Sequence, residues 1–284
     1  MRQMATGRRQ GFWDLRAAGN FIGGGSGSGL VLASAAMTAG GMEARLPLAV
    51  GLALVMLGLS LVWLEIGKPW RALNVFFHPQ TSWMTREGIL AAPLAAAGAG
   101  WVVLGHPALL VPVVVLAAGF LYCQARILRA SRGIPAWKQP EIVAFIIATG
   151  LAEGSGAALV IGEPSTMLAA VALVAAVGRE AAWARYGRAL VRDRAPQGTL
   201  DCLNAPAART LRAVQLAALA LLAAAVFGLA PAGVAGGALA ALSGWGIKAL
   251  LVTRAAFTRG PRITHTPVRG RGLSRPVEAY TASQ

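Results

Sequence analysis

The chain has 284 residues, of which 56% are hydrophobic and only 13% are charged, and its mean hydropathy is +0.59. Soluble domains carry roughly 25% charged residues, so this composition excludes an ordinary soluble domain and favours a membrane protein. The net charge of +15 does not indicate nucleic-acid binding, because the basic residues are spread over several loops and no domain presents them together.

Eight apolar runs follow one another along the chain, each of a length that can cross about 30 Å of hydrocarbon as a helix. They are apolar on all sides, whereas barrel strands would alternate in segments of about ten residues. We therefore predict an all-α integral membrane protein, with an eight-helix transmembrane bundle over residues 1–256 and a basic cytoplasmic tail over 257–284. The predicted spans are 18–38, 46–66, 88–105, 108–127, 141–161, 165–187, 209–230 and 232–252.

The distribution of Lys and Arg predicts the orientation of these spans. With eight spans, both termini and the loops 67–87, 128–140 and 188–208 share one face, and nearly all 26 basic residues lie there. Because basic loops stay in the cytoplasm, we expect both termini to be cytoplasmic, in a bacterial inner membrane. The run Ala33-Ser34-Ala35 imitates a signal-peptidase site, but the apolar stretch continues past it, so we expect the first helix to be retained.

The first span is rich in glycine. The spacings Gly19/Gly23/Gly27 and Gly25/Gly29 predict close helix packing through small residues. A second interpretation is that this backbone without side chains leaves room for a flat ring. In that case Asn20, at the cytoplasmic end of the helix, is a candidate hydrogen-bond donor to a carbonyl group of the ring.

Two carboxylates stand where spans meet water: Glu65 closes the second span and Glu87 opens the third. Glu87 could simply cap its helix together with Thr85, since negative charge complements a helix N-terminus. A carboxylate at a helix C-terminus opposes the dipole, so Glu65 needs a cation. A partly desolvated carboxylate balanced by arginine can exchange a proton near neutral pH, which makes both residues candidate proton donors. The cations nearest to Glu65 in sequence are Lys68, Arg71 and Arg86.

Further charged residues, among them Glu153, Arg179, Glu180 and Lys248, interrupt the later spans. Glu153 lies about 18 Å along its helix from Glu141, which places it well inside the membrane. It is a candidate for a proton relay or a ligand contact, and the alternative is a protonated carboxyl group bonded to a neighbouring helix. We expect Arg179 and Lys248 to extend their charged ends toward the interface.

The sequence offers no ligands for a redox centre. Its two cysteines cannot hold an iron–sulfur cluster, which takes about four thiolates. Its three histidines do not form a pair within the spans that could clamp haem, and we predict no metal site. If the chain handles electrons, they must come from a partner and leave on a diffusible carrier.

Two motifs carry a family resemblance. The runs Gly67-Lys-Pro-Trp-Arg-Ala-Leu-Asn74 and Ser82-Trp-Met-Thr-Arg-Glu87, with Pro135-Ala-Trp137 further on, resemble the DmsC/NrfD-like membrane anchors of dimethyl sulfoxide reductase-family molybdoenzymes. The resemblance covers the second to fourth helices, and the rest of the chain mainly through helix number. A histidine of the dimethyl sulfoxide reductase anchor corresponds here to Glu65.

The resemblance implies a three-subunit complex of a molybdopterin catalytic subunit, an iron–sulfur subunit and this anchor, which exchanges electrons with ubiquinone or menaquinone. It implies a proton role for Glu87 and places the family's arginine and asparagine at Arg71 and Asn74, whereas glutamate in place of histidine at Glu65 departs from the family pattern. Our hypothesis is that Glu87 and Glu65 supply protons, while Arg71, Arg86 and Asn20 position the head group beside Asn74. The long cytoplasmic loops favour partners on the cytoplasmic face. That arrangement resembles the anchors of sulfite:quinone and phenylacetyl-CoA:acceptor oxidoreductases.

Two other classes of function stay open. A secondary transporter could use Glu153 and Arg179 along a path through the bundle, although the two halves of the sequence show no convincing repeat. A passive anchor would bind the same partners without a quinone site.

Overall fold

The computed structural model describes residues 7–65 and 76–259, and for Glu65 only the backbone. Within these residues the chain forms helices, and the one β-bridge is an isolated pairing of Arg9 with Phe257. The helices are α1 (Leu15–Ala39), α2 (Arg45–Glu65), α3 (Trp83–Leu104), α4 (Leu110–Ala130), α5 (Pro135–Lys138), α6 (Glu141–Ile161), α7 (Thr166–Arg192), α8 (Gln197–Asn204), α9 (Pro206–Val226) and α10 (Ala230–Thr253), with a 3-10 turn at Pro107–Leu109 before α4.

The all-α membrane prediction is confirmed for the described residues. In this part of the chain seven helices are long and apolar enough to cross a membrane, namely α2, α3, α4 with its preceding turn, α6, α7, α9 and α10. Helix α1 is also long enough, at 25 residues, but its glycines and serines lower its mean hydropathy and it is not among the seven. An eighth span at α1 therefore stays a prediction, as does the placement of the termini.

Helix α1 lies at the centre of the bundle, against α2, α6, α4 and α10. The predicted small-residue packing is confirmed at two of its faces. An added Cβ at Gly27 would overlap the backbone of α2 at Gly51, and one at Gly29 would overlap the backbone of α6 at Gly150. The second interpretation, room for a flat ring, does not fit, because protein fills the space beside these glycines: helices α2 and α6 cover them, and side chains from α4 and α10 lie against Gly24 and Gly25.

Helix α3 begins at Trp83, five positions before the predicted 88, because Ser82 caps it. The Ser82 hydroxyl accepts a hydrogen bond from the Thr85 backbone N–H at 3.2 Å. Glu87 consequently lies beyond the first helical turn, and the capping interpretation of Glu87 is wrong.

The two ends of the described chain meet on one face of the bundle. Gln10 donates hydrogen bonds to the carbonyls of Trp13 and Val252, and Thr199 donates to the carbonyl of Ala255. The first residues of the predicted tail, 257–259, are part of this arrangement through the Arg9–Phe257 bridge. The rest of the tail lies outside the described residues.

Candidate functional site

A cavity of about 520 Å³ lies between α2 and α3, and Glu87 contributes to its wall. Gly88, Ala91 and Ala92 lie on one face of α3, at positions i, i+3 and i+4, and their small size leaves room opposite α2. Several wall residues, such as Trp63 and Leu57, are also more than half exposed, so the cavity opens toward the outer surface of the bundle. The remaining lining residues are Met56, Leu59, Ser60, Val62, Phe76 and Met84.

Glu87 is the acidic group of this cavity. It is 3% exposed, and the side chains of Gln124 and Asn20 lie close enough to its carboxyl group to interact with it. Gln124 also donates a hydrogen bond to the backbone oxygen of Asn20 at 2.9 Å, which fixes α4 against α1 beside the carboxyl group. Oε1 of Glu87 has no hydrogen-bond partner among the described residues.

This arrangement suits a ligand with a large apolar body and one polar end. The volume falls within the range of roughly 300–1,000 Å³ that is usual for small-molecule sites, and most of the wall is apolar. Oε1 of Glu87 is a buried acceptor without a partner among the described residues, and such an acceptor costs free energy. The carboxyl group can hold or release one proton at that point.

Arg86, a candidate for positioning a head group, is engaged elsewhere. Its guanidinium donates to the carbonyls of Pro79 at 2.7 Å and Gln80 at 2.9 Å. It also stacks on the Trp83 ring at 4.1 Å, and Arg126 stacks on the same ring at 4.2 Å. Arg86 is absent from the cavity wall formed by described residues, so its direct contact with a ligand there stays a prediction.

Three other candidates cannot be placed fully. Arg71 and Asn74 lie outside the described residues, as does Lys68. Glu65 is the last residue of α2, and its side chain is likewise outside the description. Of the predicted site, the structure therefore brings Asn20 and Glu87 together.

A second polar cluster occupies the middle of the bundle around Glu153. Lys248 Nζ lies 2.6 Å from Oε2 of Glu153, and both side chains are fully buried. Lys248 also donates to the backbone oxygen of Phe21, while Ser26 donates to Oε2 of Glu153 at 2.8 Å and accepts from the Trp245 indole N–H. The expectation that Lys248 reaches the interface is wrong, because an acidic partner is available inside the bundle.

Arg179 is buried as well, against the same expectation. Its Nη1 donates to Oε1 of Gln215 at 2.7 Å, to Oγ of Ser243 at 3.0 Å and to the carbonyl of Ala240. No ion pair to Arg179 is found within the described residues, but its charge lies close enough to act on both Glu153 and Lys248. Helices α7, α9 and α10 are thus held together by a guanidinium bonded to neutral groups.

Sequence reasoning missed Gln124, Ser26 and the pairing of Lys248 with Glu153. The available signal was that each is a polar residue inside an apolar span, where such residues usually have partners on neighbouring helices. The partners themselves are far apart in the chain: 95 positions separate Glu153 from Lys248.

No known family model matches the chain, and no curated protein matches it closely enough to count as a relative.

Proposed function

We propose that the chain is the quinone-binding membrane anchor of a molybdopterin/iron–sulfur oxidoreductase complex, and that it passes electrons from an iron–sulfur subunit to the quinone pool. The observation that supports this most is the Glu87 carboxyl group at the wall of the α2–α3 cavity, with one oxygen free of partners among the described residues. The sequence motifs that resemble DmsC/NrfD-like anchors run directly into this helix.

The residues present fit a quinone by their chemistry. An apolar cavity that opens on the side of the bundle suits a lipid-soluble ring and tail, and Glu87 supplies a polar contact for one carbonyl. A bound quinone takes up two electrons and two protons when it is reduced. Glu87 would hold one of those protons, and the side chains of Asn20 and Gln124 lie beside its carboxyl group. Glu65 at the end of α2 and Arg86 in the first turn of α3 are proposed to complete the site, together with Arg71 and Asn74, which lie outside the described residues.

The proposed topology has eight spans, with α1 as the first, and both termini in the cytoplasm of a bacterial cell. The soluble partners, an iron–sulfur subunit and a molybdopterin catalytic subunit, would dock on the same face. The basic residues of the loops and termini support this orientation. The reaction served is proposed to be sulfite oxidation, with phenylacetyl-CoA oxidation as the alternative, and the substrate is converted in a partner subunit.

The decisive experiment is Glu87→Gln in the purified complex. Glutamine keeps the shape of the side chain but cannot carry the proton, so quinone-coupled turnover is expected to fall by about 100-fold or more, in line with loss of a general acid or base. Glu163→Gln, an exposed carboxylate between α6 and α7, is the matched control and should leave turnover unchanged.

Two results separate the proposal from its rivals. Unchanged turnover in Glu87→Gln, with the complex assembled, would remove Glu87 from the reaction. Normal binding of the partners without any binding of a quinone analogue to this chain would instead identify a passive anchor.

A secondary transporter is the second candidate, and the buried charges Glu153, Lys248 and Arg179 favour it. Charged side chains inside a membrane usually mark an ion or substrate pathway. Liposomes that contain this chain alone would then show solute flux, and that flux would be lost in Glu153→Gln. The proposed anchor requires its partner subunits for activity and predicts no such flux.

A further inference from the structure

Two arginines share one tryptophan at the end of the bundle where α3 begins and α4 ends. The Cζ atoms of Arg86 and Arg126 lie 4.1 Å and 4.2 Å from the centroid of the Trp83 ring. The Tyr122 ring meets Trp83 edge-on, with the two ring centroids 5.6 Å apart. An aromatic face attracts a guanidinium group, so these four side chains, the Trp83 cluster, hold two positive charges beside one ring.

Hydrogen bonds fix the position of both guanidinium groups. Arg86 donates through Nε and Nη2 to the carbonyls of Pro79 and Gln80, and Arg126 donates through Nη1 to the Tyr122 hydroxyl at 2.6 Å. Nη1 of Arg86 and both Nε and Nη2 of Arg126 make no hydrogen bond within the described residues. Both arginines are half-buried, so the cluster lies at the surface of the bundle with N–H groups left for a ligand.

The surroundings of the Trp83 cluster carry an excess of positive charge. None of the described carboxylates forms an ion pair with Arg86 or Arg126. Glu87 is in the neighbourhood, since its charge and those of both arginines act on the Cys123 thiol. Residues 65–87 together with Arg126 contain four Lys or Arg side chains and two carboxyl groups, so an excess remains even if both carboxyl groups are ionised. Partly desolvated cations without counter-ions attract an anion.

The cluster also lies at the depth where lipid head groups are expected. Trp83 opens one candidate membrane span, and Arg126 stands near the end of another. Trp and Tyr at the ends of spans are typical of the membrane interface. From Arg126 an exposed stripe at helical spacing runs along α4 toward the middle of the span, and apart from the tyrosine it is apolar. Its residues are Tyr122, Ala118, Val115 and Val111.

We propose that Arg86 and Arg126 bind the phosphate of an anionic phospholipid, whose acyl chain lies along the exposed stripe of α4. Planar guanidinium groups donate in pairs to phosphate oxygens, and basic pockets between membrane helices are suited to anionic head groups. An anionic lipid matches both the positive charge and the apolar stripe. A free phosphate ion or an acidic protein surface matches the charge alone. This binding needs neither quinone nor partner subunits, so it does not rest on the proposed function.

Native mass spectrometry of the purified full chain tests the lipid site. Phosphatidylglycerol and phosphatidylcholine with identical acyl chains are titrated separately, and the dissociation constant of the first bound lipid is measured for each. We expect phosphatidylglycerol to bind about tenfold more tightly, because two basic groups lie at its head group. Arg126→Gln removes one of these cations and should lower the preference about fivefold, and Arg86→Gln should act in the same way.

Arg129→Gln is the matched control. It removes the same charge from α4 three positions further on, at an exposed residue that does not stack on Trp83, and should leave the preference unchanged. Tyr122→Phe removes the hydrogen bond to Arg126 but keeps both guanidinium groups, so the preference should persist.

Four results would contradict the lipid site. An unchanged preference in both Arg126→Gln and Arg86→Gln would remove these residues from lipid binding. Equal losses in Arg126→Gln and Arg129→Gln would show a diffuse attraction between charges. Release of phosphatidylglycerol by inorganic phosphate, but not by chloride at the same ionic strength, would identify a free anion as the occupant. Equal binding of the two lipids, with weaker assembly of the soluble subunits in Arg126→Gln, would assign the cluster to an acidic protein surface.

Discussion

The Glu153–Lys248 pair shows how strongly a single residue can depend on its partner inside a bundle. Both side chains are 0% exposed, and their charged atoms lie 2.6 Å apart. Lys248→Met alone would leave the carboxylate of Glu153 without its cation. We expect the free energy of unfolding to fall by about 3–5 kcal/mol, the usual cost of breaking a buried pair from one side. Denaturant titration in mixed micelles, followed by tryptophan fluorescence, would measure it.

Replacement of both partners is the matched comparison. Lys248→Met combined with Glu153→Gln removes the two charges together, and buried pairs replaced in this way are often neutral in stability. A double variant that is less stable than Lys248→Met would contradict the interpretation that the unpaired charge causes the loss.

Part of the site could be predicted residue by residue. Glu87 and Asn20 stood out because each is a polar residue close to the end of an apolar run, and the structure joins them. Gln124 and Lys248 could be recognised as unusual polar residues within apolar spans. Their partners could not be predicted, since a sequence does not tell which helix faces are in contact. Lys248 of α10 and Gln124 of α4 come together beside Gly25 of α1, and a contact among three helices becomes visible only in three dimensions.

At the scale of helices, the contact of α1 with α6 depends on the absence of side chains. A Cβ at Gly29 would overlap the carbonyl of Gly150 and approach the Cα of Gly154 to 3.3 Å, so backbones and not flexible side chains would have to move. We predict that Gly29→Ala destabilises the folded bundle by about 1–3 kcal/mol, as overpacking usually does.

Gly178→Ala on α7 is the control for this prediction, because its added methyl meets open space. Both variants replace glycine by alanine within a helix, so their helix propensities change equally. The difference between their unfolding free energies, measured under the same conditions in detergent, reports the contact with α6. Equal values would show that α1 and α6 are not in close contact.

The apolar runs predicted the approximate position of each long helix, but they did not predict the residues at which the helices begin and end. The apolar run indicated α3 from 88 onward, but the helix begins at Trp83, since a capping serine and a polar first turn carry no hydropathy signal. The short helices α5 and α8 were not predicted for the same reason, because their four and eight residues lie in polar loops and form no apolar stretch.

The orientation of the whole molecule is open to a direct test. Lys138, just before α6, and Glu163, just after it, are both exposed and stand at opposite ends of one helix. In a Cys202→Ser background, Lys138→Cys should react with a membrane-impermeant maleimide only after the cells are opened. Glu163→Cys should react in intact spheroplasts. The opposite pattern would reverse the proposed topology and place the partner subunits outside the cytoplasm.

The glycine-rich composition of α1 has a consequence for how the chain enters a membrane. Among the described residues, seven helices are long and apolar enough to cross a membrane, and the most central helix is not one of them. Its neighbour α2 follows after a turn of a few residues and packs along it closely. During synthesis α1 would therefore be retained in the bilayer as one arm of a hairpin with α2, so a truncated product that stops before α2 should be released from the translocon to the aqueous side.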